Sequence, residues 1–209
     1  MTSSLVMEGR YATVEPLDPA IHCESLWAGS SGATNEHLWQ YLFDGPFARR
    51  EEFLANLEAK VRAKDYLFFA IVDKAMGRAT GYASYLREEP KHRVIEVGSL
   101  LFTPALQRTR QATEAMYLMA KHVFEDLGYR RYEWKCNAMN APSRRAALRL
   151  GFTFEGIFRQ HMLVKGENRD TAWFSMLDRE WPERKAKFER WLDPDNFDEN
   201  GRQKTPLNG

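Results

Sequence analysis

What the 209-residue sequence lacks narrows its class before any motif is considered. It has only two cysteines, Cys23 and Cys136, far apart in the chain. That separation offers neither a zinc-type spacing nor a disulfide framework. No metal is expected, and a reducing, cytoplasmic setting is the simplest reading. No stretch approaches the roughly 18 apolar residues of a spanning helix. The N-terminal MTSSLVMEGRYATVEP has neither the basic segment nor the apolar run of a signal peptide. Membrane attachment is not expected. Charge of one sign is also missing: 30 Lys and Arg stand against 29 Asp and Glu, a net charge of +1. Without a basic field to gather phosphates, broad nucleic-acid binding is not expected either. The five histidines show no ligand spacing, and no internal repeat is visible.

The residues that are present, 44% hydrophobic and 28% charged, have the balance of a soluble globular protein. The length fits one domain with a real core. We expect that domain over residues 1–192, followed by a polar, flexible tail over 193–209 rich in Pro, Asn and Gly.

Along the chain, 10–17 reads as a first strand. Short helices follow over 21–28 and 36–42, the second capped by Asn35, and a longer one runs over 49–64. The apolar run 66–73 is a buried strand. Lys74 to Gly77 turns it into a return strand, 80–86. Residues 94–102 (VIEVGSLLF) form the central strand, ended by Thr103-Pro104 because proline offers no N–H to a ladder. From Thr113 the spacing of Met116, Ala120, Val123 and Leu127 is helical, with Gly128 placed for a left-handed cap. Residues 132–136 are a strand, parallel to the central one across a helical crossover. Pro142 lies near the first turn of the next helix, which Gly151 ends. Residues 152–158, 160–164 and 171–177 are further strands, and 183–192 a last helix. The fold class is α/β, a mixed sheet of about seven strands, antiparallel at its start and parallel at its centre, flanked by helices.

The stretch 94–127 is where chemistry is expected. A loop feeding a helix N-terminus leaves backbone N–H groups unpartnered in the positive end of the helix dipole, which is a phosphate-binding arrangement. Arg108 and Arg110 add charge there, and Thr109 and Thr113 add hydroxyls. An ordinary βα connection with solvated arginines would look the same.

The strand end Phe102-Thr103-Pro104, the loop from Gln107 to Thr113, and Asn140-Ala141-Pro142-Ser143 followed by Leu150-Gly151-Phe152 together resemble the GNAT superfamily of acetyl-CoA-dependent N-acetyltransferases. Within it the chain most resembles the ribosomal-protein N-terminal acetyltransferase branch. The resemblance implies the GNAT sheet, acetyl-CoA as cosubstrate, and a pyrophosphate held by the loop Gln107, Arg108, Thr109, Arg110, Gln111, Ala112 and Thr113. It also implies main-chain bonds to the pantetheine arm from Leu101, Phe102 and Thr103. A strand bulge is implied within Gly98-Ser99-Leu100-Leu101, along with coenzyme binding by Asn140 and a hydrogen bond from Ser143 to the thioester sulfur. Asn140-Ala141-Pro142-Ser143 is equally good helix-start chemistry. Arg110 departs from the family pattern, standing where the loop's first glycine is expected.

Direct acetyl transfer to an amine needs no covalent enzyme intermediate, so Cys136 reads as a buried strand residue rather than a nucleophile. Glu96 is the candidate base, because a carboxylate on an apolar strand face requires solvent, a partner or a substrate. The alternative is a salt-bridged glutamate, with Arg93 or Lys135 as partner. Of the basic helix Arg144, Arg145 and Arg149, Arg145 is assigned to the coenzyme's 3′-phosphate. His161, near Trp173, is a candidate for the acceptor pocket, as are Trp39, Tyr41, Phe43, Tyr82 and Tyr85, for most of which buried packing is the blander reading. The acceptor is an amine, either a peptide N-terminus or a small molecule. An α-amine is about 2.5 pKa units, or roughly 3.5 kcal/mol, easier to deprotonate than lysine. A homodimer is left open. The rival reading is a non-catalytic acyl-CoA-binding or sensing protein of the same fold, supported by the missing glycine.

Overall fold

A computed structural model describes residues 5–208. Its frame is one sheet of eight strands in the order β1-β2-β3-β4-β5-β6-β8-β7. The strands are β1 (Met7–Glu8), β2 (Ala12–Pro16), β3 (Tyr66–Asp73), β4 (Arg78–Glu89), β5 (Val94–Phe102), β6 (Arg131–Asn137), β7 (Thr153–Val164) and β8 (Glu167–Leu177). Every neighbouring pair is antiparallel except β5 with β6. The mixed sheet is as expected, with one strand more than the seven expected because Met7–Glu8 adds an edge ribbon.

The helices are α1 (Pro19–Ser30), α2 (Arg50–Arg62), α3 (Arg110–Lys121), α4 (Ala141–Arg149) and α5 (Trp181–Leu192). The segment read as a capped helix at 36–42 is a 3-10 helix over Ala33–Trp39, entered through Gly32 at φ +83°. The two strands read at 152–158 and 160–164 are one strand, β7. Its break is a kink, with Gln160 at φ +50° and a register shift between Phe158 and Met162.

Strand alternation sends successive side chains to opposite faces. On one face Ile95 and Val97 of β5, Tyr132 and Trp134 of β6, and Phe174 and Met176 of β8 pack under Met116, Met119 and Val123. On the other face the first strands pack beneath α1 and α2, where Phe68 and Tyr82 meet Leu26, Phe53 and Leu57.

The expected flexible tail is corrected. Phe197 and Leu207 are buried in the larger core. Trp191 Nε1 donates to Gln203 at 2.8 Å, and Asn208 Nδ2 donates to the carbonyl of Arg149 at 3.0 Å. Polar composition hid two apolar anchors that dock the segment back on the domain.

Candidate active site

The site is built where β5 and β6 part. Parallel pairing runs from Val94–Arg131 to Val97–Trp134 and stops, although β5 continues to Phe102 and β6 to Asn137. On its other edge β5 changes register with β4 between Tyr82 and Ser84, and Ser99 takes φ +50°. An extra residue bends a strand and frees main-chain groups. The expected bulge is present, with the left-handed conformation on Ser99 rather than on Gly98.

Antiparallel ladders alternate their hydrogen-bonding direction, and this decides which main-chain groups can serve the cleft. Leu101 turns its carbonyl to β4, so close to Gly81 that any Cβ there would lie 2.5 Å from it. Thr103 donates its N–H to Thr80 at 3.1 Å, accepts from the N–H groups of Leu106 and Gln107, and is 1% exposed. The cleft-facing edge therefore belongs to Leu100 and Phe102. The expected main-chain roles of Leu101 and Thr103 toward a pantetheine arm are corrected, while that of Phe102 stands open.

The start of α3 is likewise more specific than expected. Thr109 is its N-cap: the hydroxyl accepts from Ala112 N–H at 3.1 Å and donates to the Leu106 carbonyl at 2.7 Å. Thr113 is 3% exposed, with its hydroxyl engaged by Arg149 at 3.0 Å. The polar groups expected of Thr109, Thr113 and Ala112 toward an anion are thus used inside the protein. Gln107 donates its amide to the Phe102 carbonyl at 2.9 Å, and Gln111 donates to Asp73 at 3.0 Å. The Arg110 guanidinium lies 4.4 Å over the Tyr11 ring and 5.5 Å over Phe197. What remains are the main-chain N–H groups of Arg108, Arg110 and Gln111, which have no protein acceptor, and the exposed Arg108 side chain. Three converging donors and one free cation at a helix start suit a diphosphate. The absent glycine also has its reason. The left-handed residue of the loop is Arg108, at φ +60°, while Arg110 opens the helix and needs no glycine.

The start of α4 faces the same cleft. Asn140 caps the helix by accepting from Ser143 N–H at 3.1 Å, which leaves its amide nitrogen without a protein partner. The Ser143 hydroxyl accepts from Trp134 Nε1 at 3.0 Å, at the point where the strands part. Cys136 is 6% exposed, and burial pushes its thiol up, opposed by a hydrogen bond with Ser143. It is a buried strand cysteine, as read. Arg145 is exposed and without a protein partner, whereas Arg149 is the arginine of α4 that reaches the first turn of α3.

Below the bulge lies a charged cluster. Glu96 is 3% exposed, and its Oε2 accepts from Arg87 at 2.7 Å and from Lys135 at 2.9 Å. Lys135 also donates to Glu133 at 2.7 Å and sits 3.9 Å from the centre of the Trp173 ring. The salt-bridged alternative for Glu96 is therefore realised with Lys135, joined by Arg87 rather than Arg93. Glu96 Oε1 has no protein donor and lies 3.4 Å from where a Cβ on Gly98 would begin. Glycine at 98 keeps that oxygen open toward the bulge. His161 accepts from or donates to Thr171 at 3.0 Å, with its ring 6.0 Å from Trp173. Burial first, then Arg87, Arg169 and Lys135, lowers its pKa.

A cavity of about 270 Å³ opens beside Ser99, walled by Phe43, Tyr66, Phe68 and Tyr82. The Lys60–Asp44 ion pair, 2.5 Å long, borders it. The strap 39–43 closes over this side, with Lys165 donating to the Trp39 carbonyl at 2.9 Å and Tyr41 to that of Met139 at 3.3 Å. Reading the chain by local pattern missed Arg87 and Arg169. Residues 169, 171, 173 and 175 alternate in the manner of a strand face, but Gly166 and the polar residues beside it give Arg169 the local pattern of a turn.

Among the described residues no group of three or more His, Cys, Asp or Glu could hold a metal ion, and no helix is long and apolar enough to cross a membrane.

Comparison with known proteins agrees with this geometry. The family model described as an acetyltransferase (GNAT) domain matches residues 13–153. A GCN5-related N-acetyltransferase from Brucella melitensis is 49% identical, with 99% of this chain and 94% of that chain covered, and a TM-score of 0.96. A Chromobacterium violaceum chain assigned to the GNAT-family acetyltransferases is 40% identical, with 87% and 90% covered, and a TM-score of 0.80. RimL, a ribosomal alpha-N-protein acetyltransferase, shares the fold alone, at 18% identity with 83% and 94% covered and a TM-score of 0.69. No protein of curated function matches the chain. With a family model over two thirds of its length and a 49% identical relative over nearly all of it, the chain belongs to the GNAT acetyltransferase family.

Proposed function

We propose that this acyltransferase takes acetyl-CoA as donor and a primary amine as acceptor, a peptide α-amine or a small-molecule amine, by direct attack. The observation that carries the reading is one alignment. The unpartnered N–H groups of Arg108, Arg110 and Gln111 stand at the head of the cleft that opens where β5 leaves β6. The first suits the diphosphate and the second the extended arm of the same molecule. Acetyl-CoA supplies an acyl carbon activated as a thioester. The amine nitrogen forms the new C–N bond, the C–S bond breaks, and the thiolate leaves. A thiol pKa near 8.5 means the thiolate needs little help, so Ser143 acts as a hydrogen-bond donor to sulfur.

The residues of the chain do the positioning. Arg108 supplies charge for the phosphates, and Arg145 is the free cation of α4. Asn140 offers its amide nitrogen, and Phe102 its cleft-facing main chain. Glu96 Oε1, open toward the bulge, receives the proton that the attacking amine loses, directly or through one water. The branch resemblance and the lower pKa of α-amines favour a peptide N-terminus over a lysine side chain. The non-catalytic alternative loses its support, because the loop needs no glycine at position 110.

The test is stability together with turnover. At a hundredfold excess over Kd, acetyl-CoA should stabilise the protein by about 2.7 kcal/mol, and a pantetheine thioester lacking the nucleotide by much less. Free thiol should then appear when amines are supplied. No rise in Tm at millimolar acetyl-CoA would overturn the reading.

A further inference from the structure

The cations on the acceptor side of the sheet are not equally satisfied. Lys135 holds two carboxylates and Arg87 one. Arg169, on β8, is 7% exposed and holds none. Its Nε is sealed from solvent without a hydrogen-bond partner, and no carboxylate or carbonyl of the described residues accepts from its terminal nitrogens. The Phe43 ring lies 5.0 Å from the guanidinium carbon, and Glu96 and Arg87 act on it with opposite sign without bonding to it. A buried charge without a directly bonded counter-charge is expensive to keep, and burial lowers the basicity of this guanidinium. Such a group persists where a ligand completes it.

Its place indicates which ligand. Alternation along β8 puts Arg169 on the face of Thr171 and Trp173, which is the face of Glu96 and Lys135. Phe43 beneath it also walls the cavity that opens at Ser99. Phe43 thus joins the cavity wall to the guanidinium, on the opposite face of the sheet from α3. The diphosphate donors therefore do not compete for it. Among anions, a planar carboxylate matches the fork of an arginine in two parallel hydrogen bonds.

We propose that Arg169 is an acceptor-binding residue and that the acceptor amine of this enzyme carries a carboxylate, which Arg169 pairs while the amine faces Glu96. This rests on the N-acetyltransferase reading and adds the substrate class to it. The carboxylate could come from a free amino acid or from an acidic side chain near a peptide N-terminus.

The experiment uses matched pairs that differ only in charge. Amino acids are compared with their amides, and Ala-Glu and Ala-Asp peptides with their Gln and Asn counterparts, by release of free thiol. In parallel, the N-acetylated form of each is tested for binding to the CoA-saturated protein. In the wild type, the carboxylate member of one pair should be preferred by about 10- to 100-fold, the worth of a charge-assisted hydrogen bond. Which pair shows the preference separates the two sources. Arg169→Gln should abolish the preference, with the carboxylate members falling to the level of their neutral counterparts, and Arg169→Lys should restore part of it. Arg169→Met should hold or raise Tm, because it removes an unpaired buried charge, whereas an arginine kept for structure would lower Tm on removal.

Equal treatment of both members of every pair, in turnover and in binding, would overturn the proposal, as would a fall in Tm with the preference intact. Charge-selective binding without any thiol release would instead overturn the enzyme reading and leave the anion site standing.

Discussion

One face of the sheet carries two different surfaces, and the difference separates stability from chemistry. Over β3 and β4 the face packs beneath α1 and α2 through Leu26, Phe53, Leu57, Phe68 and Tyr82, all buried. Over β5, β6 and β8 the same face carries Glu96, Lys135, Glu133 and Arg169, also buried but charged. Apolar burial contributes about 25 cal/mol per Å², so the first surface holds the fold together. The second gains little net stability, because desolvation of buried ions offsets most of their attraction. Charges kept at such a position are arranged for a ligand or a proton. The boundary between the two surfaces is β5 itself, where the bulge at Ser99 faces the aromatic cavity and Glu96 faces the cations.

The largest expected effect comes from the charged half. Glu96→Gln keeps size and leaves Lys135 paired with Glu133, so the fold should survive. If Oε1 accepts the proton of the amine, kcat/KM should fall by about 10²–10⁴-fold, with acetyl-CoA stabilisation nearly unchanged. The loss should shrink as pH rises, because more of the amine then arrives neutral. Equal rates for folded mutant and wild type at every pH would reduce Glu96 to an ion-pair hub. The covered half should behave in the opposite way. Phe53 is fully buried among Trp27, Trp39 and Phe47. Phe53→Ala should cost about 3–5 kcal/mol in urea unfolding, while turnover per folded molecule stays within a few fold. A selective loss of turnover there would erase the comparison.

How much of this was legible in the sequence follows the same boundary. Strand β5 could be read to the residue from its β-branched and aromatic run, and α4 from Asn140, Pro142 and Gly151, because local rules decide both. The loop before α3 could be located, but not the division of labour within it. Whether Thr109 caps the helix or meets a ligand depends on where Leu106 and Ala112 lie, and one residue of phase decides it. Arg110 looked like a phosphate ligand until Tyr11 and Phe197, distant in sequence, were seen to take its guanidinium. Arg169 had no local signature at all. Its importance comes from the partner it lacks, and a missing partner is visible only when every neighbour is in place.

The smallest expected effect tests the charge of that half directly. His161 lies at the rim of the cluster, where burial and the nearby cations Arg87, Arg169 and Lys135 lower its pKa, opposed by Glu96. The folded state therefore binds a proton less readily than the unfolded state, in which a histidine titrates near 6.5. Between the depressed value and 6.5 the unfolded state holds more protons, so stability rises with pH through that window. The contribution is fully present above about pH 6.5 and is lost as pH falls. His161 is exposed, so solvent screening keeps the effect small. The measurement is the urea midpoint from pH 5 to 7.5 for wild type and for His161→Gln, which can keep the hydrogen bond to Thr171. The variant should show a shallower acid-side slope and coincide with wild type near pH 7.5. Adding Arg169→Gln to the wild type should flatten the slope in the same direction, since one of the repelling cations is then gone. A steeper slope in either variant would mean that the anions, not the cations, dominate this face, and the acceptor side would then have to be read for a cationic partner.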